Sequence, residues 1–146
     1  MNKLNRFKNE ELIYLENYLY NLKIKKYEKE IKNIIGYIKL PTGGIKDKKR
    51  ELAFYFLNGY REDGTPEEVL KAVIDYIFSK EKYETIITKF YDRNEKNTKL
   101  THSVLTNVGM VREGILRNRL INDEGKKINK HVYSILKEEW KATRKQ

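Results

Sequence analysis

The stretch "YREDGTPEEVL" at residues 60–70 has the order of residues found where a helix begins beside a phosphate-binding loop. Gly64 can adopt a positive φ angle, which lets the backbone approach an anion closely. Thr65 is predicted as the helix N-cap, Pro66 as the first helical residue and Glu68 as the third. A helix N-terminus offers unpaired N–H groups and a partial positive charge, so a pyrophosphate would suit this position.

The same stretch also carries features that oppose anion binding. Pro66 lacks an N–H donor, and Glu62 and Asp63 bring carboxylates to the loop. Like charges at about 4 Å cost roughly 1–4 kcal/mol, depending on the local dielectric, and Arg61 offsets part of this cost. Because Thr-Pro-Glu-Glu starts helices well in any protein, a plain helix start and a weakened phosphate site both remain open.

Composition predicts a single folded domain. The chain has 146 residues, 39% of them hydrophobic, and no cysteine, which excludes disulfides and thiolate chemistry. His102 and His131 are the only histidines and lack the spacing of metal ligands, so no metal site is predicted. The polar N-terminus and the absence of a long apolar run favour a cytoplasmic protein that does not contact a membrane.

The formal net charge of +10 favours acidic partners, which include RNA, the ribosome, acidic peptides and phosphorylated cofactors. Aromatic and basic residues are not interleaved in the way that RNA-binding motifs require. The charge alone therefore does not decide between these partners.

Hydrophobic periodicity predicts helices and strands in alternation. The predicted helices are 9–22 with Asn9 as N-cap, 67–78, and 99–109 closed by Gly109. The predicted strands are 23–31, 34–40, 51–57, 84–91, 110–121 and 126–140, the last two joined by a hairpin turn with Gly125. This order indicates a mixed α/β domain built on one largely antiparallel sheet.

Three stretches in this order resemble the GNAT acetyltransferase superfamily, most closely the branch that acetylates the N-termini of ribosomal proteins. The C-terminal stretch carries Gly109-Met110, Glu113-Gly114, Arg117, Gly125, Tyr133-Ser134, Leu136 and Glu139-Trp140 at the branch's spacing. The middle stretch keeps Tyr60, Arg61, Gly64, Glu68 and Leu70 of the family's cofactor loop, with Glu62 and Pro66 in place of Gly and Ala. Between these two stretches, "NTKLTHSVLTNVG" resembles the family's Asn-x-x-Ser helix.

The resemblance implies a GNAT-like acyl-CoA N-acyltransferase fold of the α/β (α+β) class, with a mostly antiparallel mixed sheet flanked by helices. It covers residues 34–140 as a cofactor-binding core with a C-terminal hairpin, within a single domain of residues 1–146. Residues 1–33 resemble a shortened acceptor-side region. The implied cofactor is acetyl-CoA, and the implied partners are an amine acceptor such as a protein N-terminus, and a second copy in a homodimer.

The resemblance also assigns roles to individual residues. Tyr55, Phe56 and Leu57 would pair with the pantetheine arm and supply an oxyanion donor, while Glu51 would accept the amine's proton. The remaining cofactor-binding residues would be Arg61, Glu62, Asp63, Gly64, Thr65, Pro66, Asn97 and Thr98. Thr101 occupies the serine position, and its hydroxyl would protonate the leaving thiolate.

Each of these residues also has an ordinary structural interpretation. Tyr55 to Leu57 can be a core strand, Glu51 a solvated charge, and Thr101 a hydroxyl bonded to the preceding helical turn. A catalytically inactive GNAT-like module that binds RNA, the ribosome or an acidic protein through its basic surface is therefore the alternative function.

Overall fold

The computed structural model describes residues 11–16, 34–41 and 46–144. The strands are β1 (Glu11–Glu16), β2 (Ile34–Leu40), β3 (Lys49–Glu51), β4 (Ala53–Phe56), β5 (Thr85–Tyr91), β6 (Val111–Ile121) and β7 (Lys127–Leu136). The helices are α1 (Thr65–Lys80), α2 (Glu95–Asn107) and α3 (Lys137–Arg144). None of the helices in these described ranges is both long and apolar enough to cross a membrane.

The strands form two sheets, and the chain passes from one sheet to the other between β3 and β4. The first sheet has the order β1-β2-β4 and is antiparallel, whereas the second has the order β3-β5-β7-β6 and contains one parallel pair, β3 with β5. Leu52 separates β3 from β4 and is fully buried. The predicted mixed, mostly antiparallel sheet flanked by helices is thus confirmed, although it is divided at Leu52.

Most predicted strands are confirmed, and one is divided. The predicted strands 34–40 and 84–91 correspond to β2 and β5. The predicted single strand 51–57 is instead the end of β3 followed by β4. The interruption follows from a change of partner, because β3 pairs with β5 and β4 pairs with β2.

The predicted helix at 9–22 is wrong for the residues that the structure describes. Residues 11–16 form β1, whose Ile13 lies opposite Ile38 and whose Tyr14 lies opposite Tyr37 on β2. A dense apolar run satisfies a helical and a strand period equally well, and the edge of β2 supplies the hydrogen bonds that decide the outcome. The proposed cap Asn9 and the predicted strand at 23–31 lie outside the described residues.

Helix α1 confirms the predicted helix at 67–78 and buries the predicted face, formed by Val69, Leu70, Val73, Ile74 and Ile77. Its N-cap is Gly64, with φ 89°, and not Thr65 as predicted. The Thr65 N–H donates a hydrogen bond of 3.0 Å to the carboxylate of Asp63. Gly64 takes the cap position because its left-handed backbone is unstrained only for glycine.

Helix α2 begins before the predicted residue 99 because Asn94 caps it, accepting a 2.8 Å hydrogen bond from the Asn97 N–H. The helix ends at Asn107 with Val108 as its C-cap, two residues before the predicted end, and the predicted glycine follows directly after the cap. Gly109 has φ 97°, and the Met110 N–H returns to the Leu105 carbonyl at 3.0 Å.

The C-terminal hairpin is confirmed, with Gly125 at φ 80° in the turn between β6 and β7. The predicted strand at 126–140 ends early, however, because α3 begins at Lys137. The Glu139 carboxylate accepts the Leu136 N–H at 2.9 Å and so stabilises the first turn of α3. The Trp140 indole N–H then donates to Asp75 on α1 at 2.6 Å, which docks α3 against that helix.

Gly36 marks the closest approach of β2 to β4. A Cβ atom at this position would overlap the Tyr55 carbonyl oxygen and lie 3.1 Å from the Phe56 Cα. We therefore expect Gly36→Ala to lower the free energy of unfolding by about 1–3 kcal/mol, because only a backbone shift can relieve the overlap.

Urea denaturation measures this loss, with Gly114→Ala as the matched control. Gly114 also lies in a strand, and an added Cβ would meet nothing within 4 Å. Equal stability of the two variants would contradict the close approach of β2 and β4.

Candidate active site

A cleft opens where β4 and β5 part. The Leu52 N–H donates to the Ile87 carbonyl at 2.9 Å, and beyond this bond each strand follows a different sheet. The cleft has a volume of about 220 Å³. It is lined by Ala53, Phe54, Tyr55, Phe56, Arg61, Pro66, Lys89, Phe90, Tyr91, Arg93, Asn97, Leu100, Thr101 and Val104.

The backbone of β4 presents donors to this cleft. The Leu57 N–H donates to the Ile35 carbonyl at 2.8 Å, and Tyr55 lies opposite Tyr37 in the same antiparallel register. Since alternate residues of an antiparallel strand point their N–H groups to opposite sides, those of Phe54 and Phe56 point away from β2 and toward the cleft. Tyr55 and Phe56 line the cleft, whereas Leu57 is 42% exposed and does not.

A second cavity of about 220 Å³ continues the cleft toward the loop before α1. It is lined by Asn58, Gly59, Arg61, Glu62, Asn94, Lys96, Asn97 and Leu100. Arg61, Asn97 and Leu100 line both cavities. The two cavities therefore form one elongated path from the strand parting to the loop.

The charged residues of the loop already have contacts. Arg61 donates through Nε to the Phe56 carbonyl at 2.7 Å, and its guanidinium lies 5.5 Å from the centre of the Tyr55 ring. Glu62 forms an exposed ion pair with Lys96 at 3.5 Å. Asp63 accepts the Thr65 N–H, so a carboxylate occupies the position at the start of α1 that a phosphate would take.

The structure separates the predicted loop residues into two groups. Pro66 and Arg61 line the cleft, and Glu62 lines the second cavity. Asp63, Gly64 and Thr65 line neither cavity. Gly64 instead sets the direction of the chain as the helix cap.

Helix α2 contributes Asn97 to both cavities and Thr101 to the cleft. The Thr101 hydroxyl donates to the Asn97 carbonyl at 2.9 Å, one turn earlier in the helix. The Thr98 hydroxyl accepts the Arg93 N–H at 2.9 Å and lines neither cavity. Thr98 thus orients the chain that enters α2, while Asn97 and Thr101 face the cleft.

Glu51 is exposed and does not line the cleft. It precedes Leu52, whose N–H makes the last hydrogen bond before the strands part, and lies opposite Ile87 in the β3–β5 pair. Its carboxylate is therefore placed beside the site and in contact with solvent.

Sequence reasoning did not identify the contribution of β5 and the residues after it. Lys89, Phe90, Tyr91 and Arg93 all line the cleft. One signal was available, because Lys89 is the only charged residue in the strand "TIITKFY". A lysine in a strand that is buried on one face requires a polar or open surrounding.

A histidine cluster supports the wall formed by Phe90. The Phe90 ring stacks on His131, with ring centres 5.0 Å apart. His131 is 5% exposed, and its Nε2 lies 2.5 Å from the Asp92 carboxylate. His102 Nδ1 lies 2.6 Å from the Tyr133 hydroxyl, and the two histidine rings meet edge to face at 4.8 Å. No group of His, Asp and Glu side chains in the described ranges could hold a metal ion.

The environment of His102 disfavours its charged form. Burial lowers the pKa of His102 below its ordinary value, and the charges of His131 and Arg112 lower it further, while Asp92 acts in the opposite sense. Neutral His102 can accept a hydrogen bond from the Tyr133 hydroxyl. The cluster thus joins α2 to β7 through the ring of His102, which contacts Tyr133 and His131.

The sequence matches the family described as "Acetyltransferase (GNAT) domain" over residues 7–132. No curated protein matches the sequence at a significant level. The matched range contains β1 to β6 in full, together with the residues between β1 and β2.

Solved acetyltransferase structures share the fold. One crystal structure assigned to an acetyltransferase is 27% identical, with a TM-score of 0.64 over 76% of this chain and 55% of its own. Spermidine/spermine N-acetyltransferase SpeG from Vibrio cholerae is 17% identical, with a TM-score of 0.67 over 93% and 70%. Microcin C7 self immunity acetyltransferase MccE, in complex with acetyl-CoA and AMP, is 14% identical, with a TM-score of 0.63 over 88% and 61%. The chain thus spans just over half the length of the first of these.

The lowered pKa of His102 predicts a loss of stability in mild acid. As the pH falls through about 6.5, the unfolded chain binds a proton at His102 before the folded protein does, which favours unfolding. The loss is complete only below the pKa of the folded state. His102→Gln removes the titrating ring, so its stability should fall less than that of the wild type between about pH 7.5 and 5.5.

Urea denaturation at several pH values measures this difference. His131, Asp92 and Arg112, which face His102, remain in both proteins. Parallel pH profiles of the wild type and the variant would show that His102 contributes nothing to acid sensitivity.

Proposed function

Because the chain belongs to the GNAT acetyltransferase family, we propose that it transfers an acetyl group from acetyl-CoA to a primary amine. The acceptor that we propose is a protein N-terminus, as in the branch that the sequence resembles. The observation that carries the proposal is the open edge of β4, whose Phe54 and Phe56 N–H groups face the cleft.

The cleft fits the chemistry of acetyl-CoA. Leu100, Val104 and Phe54 give it apolar walls for a pantetheine arm, and the free β4 edge can pair with the amides of that arm. Arg61 and Lys96 in the second cavity provide cations for the phosphates. These residues would hold the cofactor along the path between the two cavities.

When bound, acetyl-CoA supplies a thioester carbonyl for the amine to attack and a thiolate that leaves. One of the two N–H groups of Phe54 and Phe56 can donate to an oxygen that gains negative charge during attack, while the other pairs with the pantetheine arm. Buried neighbours such as Val104 keep water away from this position and strengthen those hydrogen bonds.

Two side chains are proposed to handle protons. The Thr101 hydroxyl lines the cleft and can turn from the Asn97 carbonyl to donate a proton to the leaving sulfur. Glu51, exposed beside the point where the strands part, would accept the amine's proton through water. Both roles follow from the family resemblance together with these positions.

One observation favours the alternative of a non-catalytic binding module. The Asp63 carboxylate accepts the Thr65 N–H, and Glu62 pairs with Lys96, so acids lie at the expected phosphate position. In that case the net charge of +10 would serve an RNA, ribosomal or acidic protein partner.

Thermal melting with acetyl-CoA tests the proposed function. A ligand that binds only the folded protein stabilises it by about 2.7 kcal/mol at 100 times its Kd. We expect millimolar acetyl-CoA to raise the Tm by a few degrees and to be consumed when an N-terminal peptide is added.

The matched measurement is RNA binding at two salt concentrations. RNA binding that weakens steeply with salt, combined with an unchanged Tm in acetyl-CoA, would contradict the enzyme and support the binding module.

Glu62 is expected to weaken cofactor binding, because it places a carboxylate in the second cavity and neutralises Lys96. Glu62→Gln should tighten acetyl-CoA binding by about fivefold at low salt, which corresponds to roughly 1 kcal/mol. The gain should shrink as salt screens the exposed charge.

Titration calorimetry at two ionic strengths measures this effect. Glu124→Gln, a substitution of the same charge at the exposed hairpin tip, is the control and should bind as the wild type does. An unchanged affinity of Glu62→Gln would mean that the phosphates lie elsewhere.

A further inference from the structure

We propose that the acceptor is a peptide N-terminus whose first residue is acidic, and that Lys89 binds the carboxylate of this residue. This inference rests on the proposed function and specifies its substrate. It depends on the position of Lys89 in the cleft, on the lack of a carboxylate partner for it in the described part of the chain, and on the charge of the surrounding walls.

Lys89 lines the cleft close to the point where the strands part. It follows Ile87, whose carbonyl receives the last hydrogen bond before the strands part, by two positions on β5. At roughly 3.3 Å per residue, Lys89 begins about 7 Å beyond that bond. Lys89 lines the same cleft as the β4 edge with Phe54 and Phe56, where the proposed oxyanion donor lies. An amine attacking there would come within reach of the Lys89 side chain.

The charge of Lys89 is not matched by a carboxylate in the described residues. Its side chain is half-buried and forms none of the ion pairs found in that part of the chain. Two other lysines differ, since Lys96 pairs with Glu62 and Lys130 lies 4.9 Å from the centre of the Tyr91 ring. A half-buried ammonium without a counter-charge favours an anionic ligand.

The walls of the cleft reinforce this preference. The described residues that line it include Arg61, Lys89 and Arg93 and no Asp or Glu. A polyamine would bring additional positive charges beside these cations, which is unfavourable in a partly enclosed site. A carboxylate close to the reacting amine has the opposite effect and lies where Lys89 can contact it.

Lys89 is separated from the cations assigned to the cofactor phosphates. Arg61 and Lys96 line the second cavity, at the loop end of the path, whereas Lys89 does not. With the phosphates held in the second cavity, Lys89 remains available for a second anionic group.

A set of matched acceptors tests the proposal. Transfer to peptides that begin with Asp, Asn or Lys and are otherwise identical, and to spermidine, is measured by release of the CoA thiol. We expect kcat/KM to be about tenfold higher for the Asp peptide than for the Asn peptide, and lowest for the Lys peptide and spermidine. A preference for spermidine, or equal values for Asp and Asn, would overturn the proposal.

Variants of Lys89 test whether this side chain causes the preference for the Asp peptide. Lys89→Met should abolish the discrimination between Asp and Asn, Lys89→Arg should retain it, and Lys89→Glu should reverse it toward the Lys peptide. Lys71→Met, at an exposed position on α1, is the control and should keep the wild-type preference. Unchanged discrimination in Lys89→Met would overturn the assignment.

The Tm shift with acetyl-CoA is measured on every variant. It distinguishes a failure of the proposed acceptor preference from a failure of the proposed function. A shift in all variants, with transfer that is indifferent to the acceptor's carboxylate, overturns this inference alone. Absence of both the shift and any transfer in the wild type overturns the proposed function, and this inference with it.

Discussion

The hydrogen bond from the Leu52 N–H to the Ile87 carbonyl, 2.9 Å long, is the point on which the site depends. Before this bond β3 runs parallel to β5, and after it β4 leaves to pair with β2. Backbone groups in a protein interior require partners, so a strand that leaves its neighbour must present its free edge to something else. In this chain the free edge of β4 faces the cleft, and the fold itself provides donors where a ligand can lie.

The separation of β4 from β5 requires each of these strands to be held by its other neighbour. On one side, Gly36 lets β2 approach the β4 backbone more closely than any other residue would allow. On the other side, β5 is fixed by β7 along its whole length, and Phe90 rests on the buried His131. The His131 and His102 pair extends this support to α2, which forms the wall opposite the strands. The strands on each flank of the cleft are thus held in place by packing.

The loop before α1 shows how local stability and ligand binding compete for the same groups. A helix N-terminus with unpaired N–H groups attracts an anion, and here Asp63 supplies one from within the chain. This hydrogen bond stabilises the start of the helix but reduces the positive potential available to a phosphate. Arg61 is likewise directed to the Phe56 carbonyl and the Tyr55 ring, which fixes its position next to the cleft. Any cofactor affinity must therefore rely on β4, Arg61 and Lys96 more than on the helix terminus.

The sequence by itself determined the elements whose periodicity is unambiguous. The apolar face of α1, the strands β2 and β5, and the hairpin turn at Gly125 all follow from spacing and from the special backbone freedom of glycine. Only the tertiary structure decided that residues 11–16 form a strand, because the edge of β2 selects between two periods that the apolar run satisfies equally. It also decided that 51–57 divides at Leu52, since a change of pairing partner leaves no mark on residue types. The same reason explains the site: Tyr55 and Phe56 could be named from a family resemblance, but the approach of Lys89 from another strand is a long-range contact that only folding creates.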